Sequence, residues 1–132
     1  MPRKLPALTE DSAPFWRGGA EGLLRIHHCA ACDRFFHPPA PICPRCAGDA
    51  VAPRAVSGRG TVMSFTVNHQ PWTTELSEPY VVAIIELAEQ KGLRLLSNVI
   101  GCDPESVRID QPVRVTFEQH EDVWLPLFER AA

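Results

Sequence analysis

Cys29-Ala30-Ala31-Cys32, ten intervening residues, then Cys43-Pro44-Arg45-Cys46: this stretch decides how the chain is read. A Cys-x-x-Cys turn lets two thiolates converge on one tetrahedral Zn²⁺, and a second such turn closes the coordination sphere at Zn–S about 2.3 Å. The ten-residue connector is shorter than the roughly 15–20 of one common zinc pattern, yet it suffices for a small hairpin that folds one knuckle over the other. Two disulfides would need an oxidising compartment, and no secretory signal accompanies the cysteines. A redox Cys-x-x-Cys opens a helix in a βαβ setting, whereas these flanks are strand-like and rich in proline. The spacing therefore predicts one structural Zn²⁺ held by Cys29, Cys32, Cys43 and Cys46, with no position left open for water or substrate. The fifth cysteine, Cys102, reads as a small, buried apolar residue.

Working outward, Leu23–His28 is expected as a strand leading into the first knuckle and Asp33–His37 as its return, with Pro38, Pro39 and Pro41 stiffening the passage to the second. Arg25, His27, His28, Arg34, His37 and Arg45 surround the cluster. Two roles are open to them: offsetting the formal −2 of a tetrathiolate zinc, or facing a phosphate or partner. Upstream, residues 9–17 fit a short helix with Thr9, Asp11 or Ser12 as caps and Gly18-Gly19 as its stop. Phe15 and Trp16 either pack on the ribbon or dock a partner.

From Gly60 the pattern turns to strands. Thr61–Asn68 places Met63, Phe65 and Val67 on one face, and Tyr80–Leu87 is a nearly continuous apolar run expected to be the most buried strand. Leu93–Ile100 follows. Val113, Val115 and Phe117 alternate with Arg114, Thr116 and Glu118, as a half-solvated strand requires, and Val123–Phe128 closes the set. Asp103-Pro104-Glu105 starts a short helix, with Asp as N-cap and Pro at N1. Five strands with a helical turn between the third and fourth follow the order of an OB-fold barrel. The expected fold is mostly β: a short N-terminal helix and arm over residues 1–22, a rubredoxin-like zinc ribbon over 23–52 and an OB-fold domain over 53–132. Gly48–Gly60 reads as a connector.

The chain has 132 residues, 45% apolar and 22% charged, an ordinary globular composition. No apolar run approaches the roughly 20 residues of a membrane helix, and Met1–Pro6 has no hydrophobic signal core, so a cytoplasmic protein is expected. Residues 1–66 carry +3 and residues 67–132 carry −6, within a net charge of −3. The acidic half weighs against a broad phosphate-binding surface. There is no Ser/His/Asp order, no glycine-rich phosphate loop and no paired carboxylates with a reason to share a pocket, so no catalytic residues are expected. His69, beside Gln70 and Trp72 in the loop between the first two barrel strands, either borders a ligand channel or is an ordinary exposed histidine.

Phe15-Trp16-Arg17-Gly18, Glu21-Gly22-Leu23-Leu24, the two knuckles with Pro38-Pro39 between them, Ser57-Gly58-Arg59-Gly60-Thr61-Val62, Pro79-Tyr80-Val81-Val82-Ala83, Val99-Ile100-Gly101-Cys102 and Leu125-Pro126-Leu127-Phe128 occur in one order. Together they resemble a bacterial and archaeal family of zinc-ribbon plus OB-fold proteins associated with acyl-CoA metabolism, long catalogued as a domain of unknown function. Two features depart from the family pattern: Pro39-Ala40-Pro41 lacks an arginine after the proline pair, and the last hairpin turn has no glycine.

The resemblance implies a non-catalytic accessory subunit of a thiolase-like or lipid-transfer-protein-like enzyme, sometimes docked to a hydratase. The larger subunit would perform acyl transfer, or retro-aldol cleavage of a β-hydroxyacyl-CoA such as a steroid side-chain intermediate. The small subunit would stabilise its partner and help shape the acyl-CoA channel, with Phe15, Trp16, Arg34, Arg45, His69 and Trp72 as partner- or ligand-facing candidates. A single-stranded nucleic-acid module is the first alternative, opposed by barrel aromatics that are not interleaved with Lys/Arg. A stand-alone acyl-CoA binder is the second, for which Arg25, Arg34, Arg45, Arg54 and Arg59 form the basic cluster.

Overall fold

The computed structural model describes residues 5–69 and 78–131. The elements run α1 (Ala13–Arg17), a 3-10 turn (Gly18–Glu21), β1 (Leu24–Cys29), β2 (Arg34–Phe36), β3 (Val51–Val56), β4 (Arg59–Asn68), β5 (Tyr80–Leu87), β6 (Arg94–Ile100), a second 3-10 turn (Pro104–Ser106), β7 (Pro112–His120) and β8 (Val123–Arg130). The ribbon is a three-stranded sheet in the order β2-β1-β3, and the remaining strands form a closed barrel in the order β4-β5-β6-β8-β7. Five strands closed this way, with a helical turn between the third and fourth, make the expected OB-fold. Closure rests on a short parallel seam, Val99 opposite Phe128 and Ile100 opposite Glu129.

The chain between Gly48 and Gly60 is more than a connector. It contains β3, which pairs with all of β1 from Leu24↔Val56 to Cys29↔Val51. Residues 52–55 of β3 are all exposed, because an edge strand makes its bonds through the backbone and leaves no apolar alternation to read.

Around α1, Thr9 and Ser12 exchange hydrogen bonds, each side-chain oxygen accepting from the other's backbone N–H at 3.0–3.1 Å. The Gly18-Gly19 pair starts a 3-10 turn, so the stop falls later, at Gly22 with φ 72°. Gly19 is required for a different reason: a Cβ there would lie 2.4 Å from Trp124 Cβ and 2.7 Å from Phe117 Cδ1. The turn thus sits directly on the β7–β8 hairpin, and the Arg17–Asp122 ion pair at 2.9 Å ties the same two parts together.

In the barrel, Val81, Ala83, Ile85 and Leu87 of β5 point inward and are almost fully buried, while Tyr80, Val82, Ile84 and Glu86 lie on the outer face and are half-buried. The β4 face expected to present Met63, Phe65 and Val67 together is broken by a bulge between Val62 and Ser64. The extra residue changes the phase, so Val62 is buried ahead of the bulge and Phe65 and Val67 pack on the core after it. Met63 is left exposed. The 3-10 turn at Pro104 forms as expected, with the Asp103 carboxylate accepting from Glu105 N–H at 3.0 Å. In the β7–β8 turn, Glu121 occupies a left-handed conformation (φ 58°) where a glycine would sit without strain.

Candidate functional site

Each knuckle is a backbone device before it is a metal site. The residue directly after its second cysteine, Asp33 in the first and Ala47 in the second, takes a left-handed φ of 52° and 60°. That reversal turns the following backbone back toward the sulfurs. Arg45 N–H donates to Cys43 Sγ and Gly48 N–H to Cys46 Sγ, both at 3.4 Å. Cys43 N–H donates to Gly48 C=O and Ala47 N–H to Cys43 C=O, which closes the second loop.

The four Sγ atoms of Cys29, Cys32, Cys43 and Cys46 lie within 4.8 Å of one another. Cys29 and Cys46 are 3.7 Å apart, and Cys32 and Cys43 are 4.0 Å apart. A tetrahedron with Zn–S bonds of about 2.3 Å has sulfur–sulfur edges of about 3.8 Å, so the sulfurs already stand where zinc places them. A disulfide needs about 2.05 Å, which none of these pairs approaches. Crowding drives the thiols apart in acidity. Backbone N–H groups, that of Cys46 foremost, lower Cys43 to about 7 against the desolvation that opposes them. Cys32, hydrogen-bonded to the Cys46 sulfur, is pushed up to about 12. A divalent ion resolves this conflict by taking all four as thiolates. With four sulfur ligands the ion supplies cross-linking, and these residues hold one structural zinc.

The histidines beside the cluster are structural. His27 and His28 are buried, with rings set edge-on against Phe36 and Phe35. His28 Nε2 lies 3.1 Å from Asp33 Oδ1, which links β1 to the first knuckle. Burial lowers His27, with Asp11 working in the opposite sense. His37 packs on Phe15 at 4.9 Å and is lowered to about 4, by burial first and by the neighbouring His27 second.

The candidates for a partner or ligand separate. Phe15 is only 4% exposed and belongs to the core with Leu24 and Ile26, so of its two readings the structure takes packing. Trp16 is half-buried against the same core and against the Val123–Leu127 cluster. An apolar docking patch centred on these two aromatics is therefore absent among the described residues: the ribbon and barrel, meeting at α1, cover them. Trp72 lies outside the described residues. His69 is exposed and 3.6 Å from Glu105.

Arg34 and Arg45 come together with Arg94 around a cleft of about 430 Å³ at the ribbon–barrel junction, shared with Phe35, His37 and Gln90. Gln90 bolts the junction: its Oε1 accepts from Phe35 N–H and its Nε2 donates to Phe35 C=O, both at 2.9 Å. Sequence reading missed Gln90 and Arg94, since nothing local marks a residue whose partner is 55 positions away. Cys102 is half-buried against the core, and no base accompanies it among the described contacts.

Two family profiles match consecutive parts of the chain: the ChsH2 rubredoxin-like zinc ribbon domain over residues 16–52 and the ChsH2 C-terminal OB-fold domain over residues 53–118. The chain belongs to the ChsH2 (DUF35) family. A chain of the solved structure Ltp2-ChsH2(DUF35) aldolase superposes with a TM-score of 0.85 at 35% identity, covering 97% of this chain and 100% of that one. The 3-oxo-4,17-pregnadiene-20-carboxyl-CoA hydratase alpha subunit of Mycobacterium tuberculosis is 38% identical over 117 residues, covering 89% of this chain and 37% of that protein. A DUF35 domain-containing scaffold protein of Methanothermobacter thermautotrophicus is 37% identical over 94 residues, covering 69% of this chain and 68% of that protein. This chain spans about two-fifths of the length of the curated hydratase alpha subunits it matches. Among the described residues, no helix is long and apolar enough to cross a membrane.

Proposed function

We propose that this chain is a non-catalytic scaffold subunit whose enzyme's reacting groups lie on a thiolase-like or lipid-transfer-protein-like partner acting on acyl-CoA. The observation that carries this is the superposition, over 97% of this chain and 100% of the other, on a chain of the Ltp2-ChsH2(DUF35) aldolase. The molecule's own chemistry agrees. The four-cysteine centre uses every ligand position on sulfur, which suits a structural rather than a chemical role. The reaction is retro-aldol cleavage of a β-hydroxyacyl-CoA, for example in steroid side-chain degradation, or acyl transfer. A hydratase is a further partner, in line with the hydratase alpha subunits among the relatives.

Within such a complex the cleft lined by Arg34, Arg45 and Arg94 is the part of this chain suited to border the acyl-CoA channel, because guanidinium groups match phosphate. His69, exposed beyond the end of β4, stays a partner- or ligand-facing candidate. The deciding experiment is a tagged pull-down from the host's lysate with every co-purifying protein identified by mass. A near-stoichiometric thiolase-like subunit is expected. Recovery of nucleic acid, or of the chain alone, would refute the proposal.

A further inference from the structure

A strand solvated on one face alternates apolar and polar residues, whereas a strand buried on both reads as a continuous apolar run. The barrel contains one of each. β7 sets Arg114, Thr116 and Glu118 against Val113, Val115 and Phe117, so its outer face is polar, with Arg114 exposed and Thr116 and Glu118 half-buried. β5 reads Tyr80-Val81-Val82-Ala83-Ile84-Ile85-Glu86-Leu87, the pattern of a strand covered twice, yet among the described residues only its inward-facing side chains are fully buried and the outer ones are half-buried.

The neighbouring strands extend this half-buried apolar surface into exposed side chains. Ile84 stands directly between Ser64 of β4 and Leu96 of β6, and Val82 between Thr66 and Asn98. Leu96 is 68% exposed, the largest value among the exposed large apolar side chains described. Met63, ejected by the bulge, is exposed at the edge of the same face. Ile109, also exposed, precedes Asp110, whose N–H donates to Val62 C=O at 2.7 Å beside that bulge. Charge is confined to one end, where Glu86 pairs with Arg94 across the ladder.

We infer that this outer face of β4, β5 and β6, centred on Ile84 and Leu96, is the surface on which the catalytic subunit sits; the inference rests on the function proposed above. Its size argues against a second copy of this chain. Three strands at about 4.8 Å spacing and seven residues at about 3.3 Å span about 300 Å². Two such faces together bury about 600 Å², well short of the roughly 1,200–2,000 Å² of a stable interface. A larger subunit can cover the face and continue past it over Met63 and Ile109. The absence of charge at the centre, with the hydroxyls of Ser64 and Thr66 along one side, fits a neutral apolar partner surface and excludes a polyanion.

The test uses the full zinc-loaded chain and the purified thiolase-like subunit recovered by pull-down. Leu96→Lys and Ile84→Glu should weaken binding at least 100-fold while zinc content and far-UV circular dichroism stay unchanged. Arg114→Glu, on the polar outer face of β7, should bind within threefold of wild type. Met63 supplies a readout without mutation: its oxidation by peroxide should slow at least fivefold in the complex. If wild type binds and Leu96→Lys binds equally well, the face assignment is overturned and the scaffold function stands. If wild type itself does not bind the purified subunit, the scaffold function falls and this inference with it. A wild-type homodimer that Leu96→Lys splits would assign the face to a second copy and also overturn the inference.

Discussion

Replacing Gly19 by alanine tests whether the N-terminal turn and the barrel are one mechanical unit. The new methyl would sit 2.4 Å from Trp124 Cβ and 2.7 and 2.8 Å from Phe117 Cδ1 and Cγ. Ordinary contact is near 3.5–4.0 Å, so the turn must lift by about 1 Å. The Phe117 ring can tilt aside, but Trp124 Cβ is fixed to the backbone of β8 and cannot. Lifting the turn loosens the Arg17–Asp122 pair and the packing of Phe15 and Trp16 beneath it. Overpacking of this kind costs about 1–3 kcal/mol. Alanine recovers up to about 1 kcal/mol through the lower conformational entropy of the unfolded chain. The net expectation is a loss of about 1–2 kcal/mol, or roughly 3–10 °C in Tm for a domain of this size. Urea unfolding followed by tryptophan fluorescence, at matched zinc content, measures it. A Gly19→Ala protein as stable as wild type, or more stable, would refute the close approach and the rigid junction built on it.

Three further outcomes are expected. Cys43→Ser should lose stoichiometric zinc by elemental analysis and unfold the ribbon, because apparent zinc binding energies of about 10–16 kcal/mol are also folding energy. Gln90→Met strips both hydrogen bonds from Phe35 and should cost about 1–3 kcal/mol in urea titrations, with ribbon amides of β2 gaining hydrogen exchange before those of β5. His37, held at about 4 in the folded chain against 6.5 unfolded, binds its proton first in the unfolded state. Stability therefore rises with pH between about 4 and 6.5 and is lost on acidification through that window, by up to about 3 kcal/mol. His37→Phe keeps a ring on Phe15 without the titration, so the variant should gain on wild type by up to about 3 kcal/mol as pH falls through the window; equal pH slopes in urea titrations would refute the assignment.

What could be read in advance was whatever local chemistry decides. The paired Cys-x-x-Cys turns, the Asp103-Pro104 start and the Tyr80–Leu87 strand need no distant partner to be recognised, and each stands where the spacing put it. Met63 escapes the alternation because one inserted residue shifts a period-2 pattern without leaving a mark in composition. Strand β3 looks like a connector in sequence because edge pairing is a backbone property. Gly18 and Gly19 look like a helix stop, and only the position of Trp124 shows that Gly19 serves close approach. Phe15 is apolar whether it faces a partner or its own core, so its 4% exposure is information that only the folded chain contains.

The barrel seam has a bearing on how the chain is made. Every ribbon strand is complete once Val56 has emerged, but the seam needs Phe128 and Glu129 of the last strand. About 70 residues separate these events, which at 5–20 residues per second is roughly 4–14 s of translation. During that interval the nascent ribbon can capture its metal, while β4 to β6 wait with their apolar faces open. The ribbon can therefore be metal-loaded before the barrel that follows it has a last strand to close on.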